Sequence, residues 1–277
     1  AMTTHAIVDD VRGSEVLGLV ASKQDVLNLL EALEQATAEG DIAVVVKLTD
    51  RLANYMQVDS LHAAELNISG PVKEAVKAAM EAFPESDTLC SAGLRLLAEI
   101  VTHDEGCTVA KALLEEGQVV KAMDILKNNS MDGARVLPAL HMLEACAKDP
   151  DVAIALAGDG IVNAIVNAFR SNTRNPALQA KAVSTLAALS EGLPSCQEFL
   201  VAGGLAAFIE MLQIANKNCY SQVAKKVLDA LIDQCSPQRG RTAEDCKVFG
   251  DAFLAHPRGI STVDDSTNVF FDVEAVL

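Results

Sequence analysis

The 277-residue sequence contains no Trp, and aromatic residues make up only 4% of it. Half of the residues are nevertheless hydrophobic, so the core has to be built mainly from Ala, Leu, Val and Ile. A chain of this composition can bury a sizeable core, which excludes a largely disordered protein. Because the apolar runs contain few Pro and Gly residues, the composition favours helices.

Positive charge is also scarce. The 22 Lys and Arg residues are outnumbered by 38 Asp and Glu residues, which leaves a formal net charge of −16. Binding to nucleic acid requires a basic surface, so this charge argues against a nucleic-acid partner and, for the same reason, against anionic lipid. It predicts attraction to a basic protein or peptide. The alternative is that the acidity only keeps the protein soluble.

The seven cysteines are odd in number, and no pair has the C-x-x-C spacing. This argues against a disulfide framework and a zinc site, and favours a reducing, cytoplasmic location. No apolar run approaches the roughly 18 residues that suggest a membrane span, and no signal peptide is evident. The initial Ala-Met is typical of a cloning remnant. Lipid contact is therefore expected only through native ends that this sequence lacks.

Motifs of catalysis are missing as well. The sequence has no P-loop, no dinucleotide-binding G-x-G-x-x-G, no H-E-x-x-H and no G-x-S-x-G. The stretch "THDEGC" groups His103, Asp104, Glu105 and Cys107 as possible ligands or a Cys–His pair. Its acidic residues also suit a helix-to-helix junction, where they would cap the following helix. We therefore predict a protein that is not an enzyme and uses no cofactor or metal.

What the sequence does contain is a repeat. "GQVVKAMDIL", "GIVNAIVNAF" and "GGLAAFIEML" begin at Gly117, Gly160 and Gly203, at a step of 43 residues, and "GPVKEAVKAA" at Gly70 is a looser copy. A second helix follows each of these, with apolar residues at two equivalent positions: Leu97, Leu143, Leu186 and Leu228, then Ile100, Cys146, Leu189 and Leu231. Upstream, "KQDVLNLLEALEQA" and "DRLANYM" fit the same pattern.

A shorter helix is predicted between these pairs, at "DSLHAAELNI", "EGCTVAKALLEE", "PDVAIALAGD" and "PSCQEFLVAG". Pro150 and Pro194 suit a first helical turn, and Asn175 before Pro176 suits a helix start. Glycines are expected between helices with positive φ, at Gly40, Gly117, Gly160 and Gly192. Such a three-helix unit buries its apolar face only by stacking on its neighbours.

The stretch "GDGIVNAIVNAF…NPALQAKAVSTLAALSEG" resembles the armadillo repeat, with its Gly-led second helix and its "A-x-x-A-L-x-x-L" third helix. The resemblance implies an all-α, right-handed α-solenoid of about five three-helix repeats over residues 22–236. Residues 1–21 would then be an N-terminal segment or cap. Residues 237–277 would be a C-terminal cap or the start of a truncated further repeat. In this family the third helices line a concave groove, and partners lie along it.

The resemblance also implies a candidate protein-binding groove. In the nuclear-import members, an Asn near the end of the third helix clamps an extended peptide, with Trp nearby. Only one of the five equivalent positions here is Asn, and Trp is absent, which argues against an import receptor. The five positions are Asn54, Glu99, Ala145, Ala188 and Ala230. The alanines could form an apolar strip that accepts a helix, or could only allow close helix packing.

Polar residues one turn earlier would face the same groove, or would form a solvated surface without a dedicated ligand: Asp50, Arg95, His141, Ser184 and Lys226. The resulting prediction is a non-enzymatic interaction scaffold, and one form of it would be a segment of a larger connector between cytoskeleton and membrane. The alternative is a chaperone-like regulator or exchange factor for small GTPases with polybasic tails, which an acidic groove would suit.

Overall fold

The computed structural model describes residues 23–58, 69–104, 108–193, 196–218 and 221–234, together with Lys247 and Asp251. Within these ranges every regular element is an α-helix, which confirms the all-α class. The helices are α1 Lys23–Glu39, α2 Ile42–Val58, α3 Ser69–Ala82, α4 Asp87–Thr102, α5 Thr108–Glu115, α6 Gln118–Asn128, α7 Gly133–Cys146, α8 Pro150–Gly158, α9 Ile161–Ser171, α10 Pro176–Gly192, α11 Cys196–Val201, α12 Gly204–Lys217 and α13 Ser221–Gln234.

The short helix predicted at 59–68 and the segment 1–21 lie outside the described residues, as does 237–277 apart from Lys247 and Asp251. The chain divides into two compact units, residues 1–109 and residues 110–277. The boundary falls within the first turn of α5. Among the described helices, none alone has the length and apolarity of a membrane span, and α8 with α9 meets those criteria only as a pair bent by 75°.

Unit 1 consists of two helical hairpins packed side by side. α1 and α2 form the first hairpin, α3 and α4 the second, and they meet through α1 with α3 and, more extensively, α2 with α4. Fully buried Leu33, Leu52 and Leu96 fill the core between them. Leu97, one of the predicted equivalent leucines, is also fully buried. The stability of the unit therefore comes from aliphatic packing, as the composition predicts.

Unit 2 repeats this arrangement. The hairpins are α6 with α7, α9 with α10 and α12 with α13. Their first helices contact one another in series, α6 with α9 and α9 with α12, and their second helices do the same, α7 with α10 and α10 with α13. The short helices α8 and α11 both pack against α10. Leu143 and Leu186 are fully buried at their equivalent positions.

Glycines mark the starts of the three hairpins of unit 2. Gly117, Gly160 and Gly203 have φ of 76°, 77° and 86°, and each directly precedes the first helix of a hairpin. L-residues with side chains rarely adopt this left-handed conformation. The same unusual backbone conformation therefore recurs every 43 residues, together with the sequence pattern. Gly40 has φ of 77°, as predicted.

The prediction for Gly192 is wrong, because this residue is the last of α10 and not a turn residue with positive φ. A Cβ there would overlap the carbonyl oxygen of Ala147, so close approach of two backbones is what requires Gly. Gly70 likewise lies inside α3 and does not precede it.

The predicted helix starts are confirmed where the structure describes them. The Oδ1 atom of Asn175 accepts a hydrogen bond of 3.1 Å from the Leu178 amide, and Pro176 occupies the first turn of α10. Pro150 occupies the first turn of α8, after the buried cap residue Asp149. Pro194 lies outside the described residues. These caps satisfy amide groups that the helices cannot satisfy internally.

Candidate functional site

In unit 1 the predicted groove residues lie on α2 and α4, and two of them pair with each other. The Nη2 atom of Arg95 lies 2.9 Å from Oδ1 of Asp50 and also donates to the Asp50 carbonyl oxygen at 3.2 Å. Glu99 is only 7% exposed, whereas Asn54 is exposed. The Asp50 and Arg95 charges are thus compensated within the fold. This face of unit 1 offers a partner less free charge than its sequence suggests.

In unit 2 a groove of about 350 Å³ opens over α10, between α7 and α13. We call it the α10 groove. Four of the six predicted residues of this unit line it, namely Ser184, Ala188, Lys226 and Ala230. His141 and Ala145 do not. Six further lining residues were not predicted: Glu144, Lys148, Val183, Ala187, Glu191 and Asp229.

A signal for the missed residues was present in the sequence. Ala187, Ala188 and Glu191 follow Ser184 by three, four and seven residues, the spacing of one helix face. The 43-residue step then relates Glu144 to Ala187 and Lys148 to Glu191. Five of the six missed residues lie three residues after a predicted one, on the same helix face, and could have been found in this way: Glu144, Lys148, Ala187, Glu191 and Asp229.

The floor of the α10 groove is apolar and built from small side chains. Val183 is fully buried, Ala188 and Ala230 are nearly so, and Ala187 is half-buried. Methyl groups at these positions do not fill the space between α10 and α13, which is why an open groove exists there. Ala188 and Ala230 thus lie together on the floor of the groove.

The rim of the α10 groove is charged, and part of its acidic charge is used by the fold. Lys181 donates from Nζ to Oε2 of Glu144 at 2.7 Å, and Glu191 also has a partner. Lys148, Lys226 and Asp229 are exposed and form no hydrogen bond or ion pair with the described part of the chain. Ser184 donates its hydroxyl proton to the Ala180 carbonyl oxygen at 3.2 Å.

Two ion clusters outside the groove shift pKa values. A hydrogen bond to Asp151, at 2.7 Å, and the charge of Asp149 raise the pKa of Lys111, which joins α5 to the start of α8. In unit 1, hydrogen bonds from Lys73 and Lys77 lower the pKa of Glu74 on the exposed side of α3. In each cluster an exposed partner meets largely buried ones: Glu74 is exposed beside Lys73 and Lys77, and Asp151 is exposed beside the buried Asp149.

The cluster "THDEGC" acts as a helix cap as far as the structure describes it. Oδ2 of Asp104 accepts hydrogen bonds from the Val109 amide at 2.6 Å and from the Thr108 hydroxyl at 3.1 Å, at the start of α5. Glu105 and Cys107 lie outside the described residues. Over the described ranges, no group of three or more His, Cys, Asp or Glu side chains could hold a metal ion.

No family model matches the chain, and no curated protein and no solved structure matches it significantly. The armadillo resemblance therefore depends on the sequence pattern of this chain alone. The functional interpretation depends likewise on the residues of the α10 groove and on their chemistry.

Proposed function

We propose that the chain is an α-solenoid of armadillo type that acts as a non-enzymatic scaffold, with the α10 groove as a binding site for a segment of another protein. The observation that carries this proposal is the groove itself, an open apolar floor whose rim includes charged side chains that the fold does not use. The serial packing of hairpins in unit 2 and the three positive-φ glycines at a 43-residue step support the solenoid.

The chemistry of the lining favours binding over catalysis. Alanine and valine form the floor, and the hydroxyl of Ser184 donates to its own helix, not to a neighbouring base. A nucleophilic serine needs a base that takes this proton, and neither His nor Cys lines the groove. Apolar floors between helices of this kind accept side chains of a helical or extended peptide.

The net charge of −16 favours partners with a basic surface, because it attracts them over distances beyond direct contact. Cytoplasmic location, a place within a larger cytoskeletal connector and the regulation of GTPases with polybasic tails stay predictions from composition and resemblance. A connector and a GTPase regulator would both bind their partners through this groove, so the first experiment addresses the groove.

The test is affinity capture from a cell lysate with three forms of the full chain. Ala187→Phe fills the groove from a half-buried position, whereas Ala206→Phe makes the same change at an exposed position of α12 that does not line it. We expect specific proteins to be retained by wild type and by Ala206→Phe and lost with Ala187→Phe. If all three forms retain the same proteins equally, the groove is not the binding site and the proposal fails.

A further inference from the structure

The two lysines on the rim of the α10 groove carry charge that nothing in the described part of the chain compensates. Lys148 follows the end of α7, and Lys226 lies on α13. The repeat alignment relates Lys148 to Glu191 and Lys226 to Ser184, so the lysines flank the floor near opposite ends. Ser184 and Glu191 are seven residues apart on α10, so the lysines are offset by about 10 Å along the helix axis, in addition to the width of the groove between them.

Two of the three acidic residues of the rim have contacts of their own. Glu144 is bonded to Lys181, and Glu191 also has a partner. Among the acidic residues of the rim, Asp229 alone forms no contact with the described part of the chain. The rim groups without such a contact are therefore two ammonium groups and one carboxylate. In a chain with 38 acidic residues, the unpartnered groups of this rim are thus more often basic than acidic.

Desolvation decides which segment can cover this groove. A segment that packs on Ala187 and Ala230 displaces water from the neighbouring ammonium groups. A neutral or basic segment would leave these groups without water and without a counter-charge, which costs free energy. A carboxylate at the same place replaces the lost water with a charge-assisted hydrogen bond.

We propose that the α10 groove selects an acidic peptide segment, in which carboxylates flank small apolar side chains. The carboxylates pair with Lys148 and Lys226, and the apolar side chains pack on the alanines between them. This inference rests on the proposed function, since it names the chemistry of the partner at the same groove. The net charge of −16 favours a partner with a basic surface overall, and this partner would present the acidic segment to the groove.

The test uses a displayed library of random 12-residue peptides, selected on the wild-type chain, with affinities then measured by fluorescence anisotropy. We expect enrichment of Asp and Glu beside small apolar residues. Lys148→Glu and Lys226→Glu should each weaken the selected peptides by about 3- to 10-fold, through loss of one ion pair and added repulsion. Lys225→Glu is the matched control, since Lys225 is exposed, adjacent in sequence and outside the groove lining.

The possible outcomes separate the two proposals. Acidic peptides that lose affinity with Lys226→Glu but not with Lys225→Glu support the inference. Equal losses in the two variants overturn it, because only net charge would then matter. Basic or neutral peptides that Ala187→Phe excludes overturn the inference and leave the proposed function standing. Peptides that Ala187→Phe does not affect overturn both. Circular dichroism of each variant verifies folding, which changes at these exposed lysines should not disturb.

Discussion

Gly192 shows at the scale of one residue how closely unit 2 is packed. A Cβ at this position would overlap the Ala147 carbonyl oxygen and would lie 2.9 Å from Cβ of Ala153. Backbone atoms cannot move away as a flexible side chain can. Gly192→Ala is therefore expected to lower the free energy of unfolding by about 1–3 kcal/mol or more, as overpacking does. Urea denaturation measures the change.

Gly158 provides the control for that substitution. It is the last residue of α8 and is exposed, and a Cβ at this position would meet no neighbouring atom within 4 Å. Gly158→Ala should leave stability unchanged or raise it by up to about 1 kcal/mol, because Ala favours helix more than Gly does. Equal losses in the two variants would show that the Gly192 contact is not the cause.

Residue-scale prediction succeeds where the local chain decides the conformation and fails where a distant segment does. The positive φ of Gly117 and Gly160 follows from their place between helices, and the Asn175 cap follows from the adjacent Pro176. The role of Gly192 depends on Ala147, which is 45 residues away in sequence. The pairing of Asp50 with Arg95 likewise depends on the contact of α2 with α4.

At the scale of elements, Lys111 links the short helix α5 to the start of α8, because it forms ion pairs with Asp149 and Asp151. Its raised pKa means that these pairs stabilise the fold fully below the unfolded-state pKa, near 10.5, and are lost as pH rises through the higher folded-state value. Lys111→Met should lower the urea midpoint at pH 8. The difference from wild type should shrink as pH rises above 10.5. A difference independent of pH would point to packing of the side chain instead.

The six-residue helix α11 is too short to be stable alone and depends on Phe199. This ring is fully buried, and its centroid lies 5.8 Å from that of Phe208 on α12, at a tilt of 52°. Phe199→Ala should cost about 3–5 kcal/mol and raise hydrogen exchange in α11 before α6 and α7 respond. Val201→Ala, at a side chain that is 77% exposed, should change neither. Equal exchange along the whole of unit 2 would contradict a local role.

The sequence predicts the helices more completely than the groove, for a physical reason. Each hairpin has its own apolar periodicity and turn residues, so α6 with α7 and α9 with α10 can be recognised without tertiary information. The charges of the groove depend on which side chains have no partner after the helices have packed together. Lys181 binds Glu144 on the neighbouring second helix, and this removes an acidic charge from the rim. No local pattern around Glu144 indicates that bond.

For the whole molecule, the net charge of −16 and the two unpartnered lysines of the α10 groove act over different distances. Net charge acts at long range, where salt screens it, with a Debye length of about 30 Å at 0.01 M and about 10 Å at 0.1 M ionic strength. The groove lysines act at contact, where a bound segment shields them from salt. Long-range charge therefore governs the association rate constant of a segment, and the lysines govern its dissociation rate constant.

This separation predicts the kinetics of an acidic peptide selected on the groove. Raising ionic strength from about 0.01 to about 0.1 M should increase its association rate constant, because screening reduces repulsion by the acidic chain. Lys226→Glu should act mainly on the dissociation rate constant, which stopped-flow fluorescence measures together with association. The same peptide with Gln in place of Glu is the control, and its association should not depend on salt. If the association of the acidic peptide instead slows with salt, the lysines already attract it at a distance, and net charge does not govern the encounter.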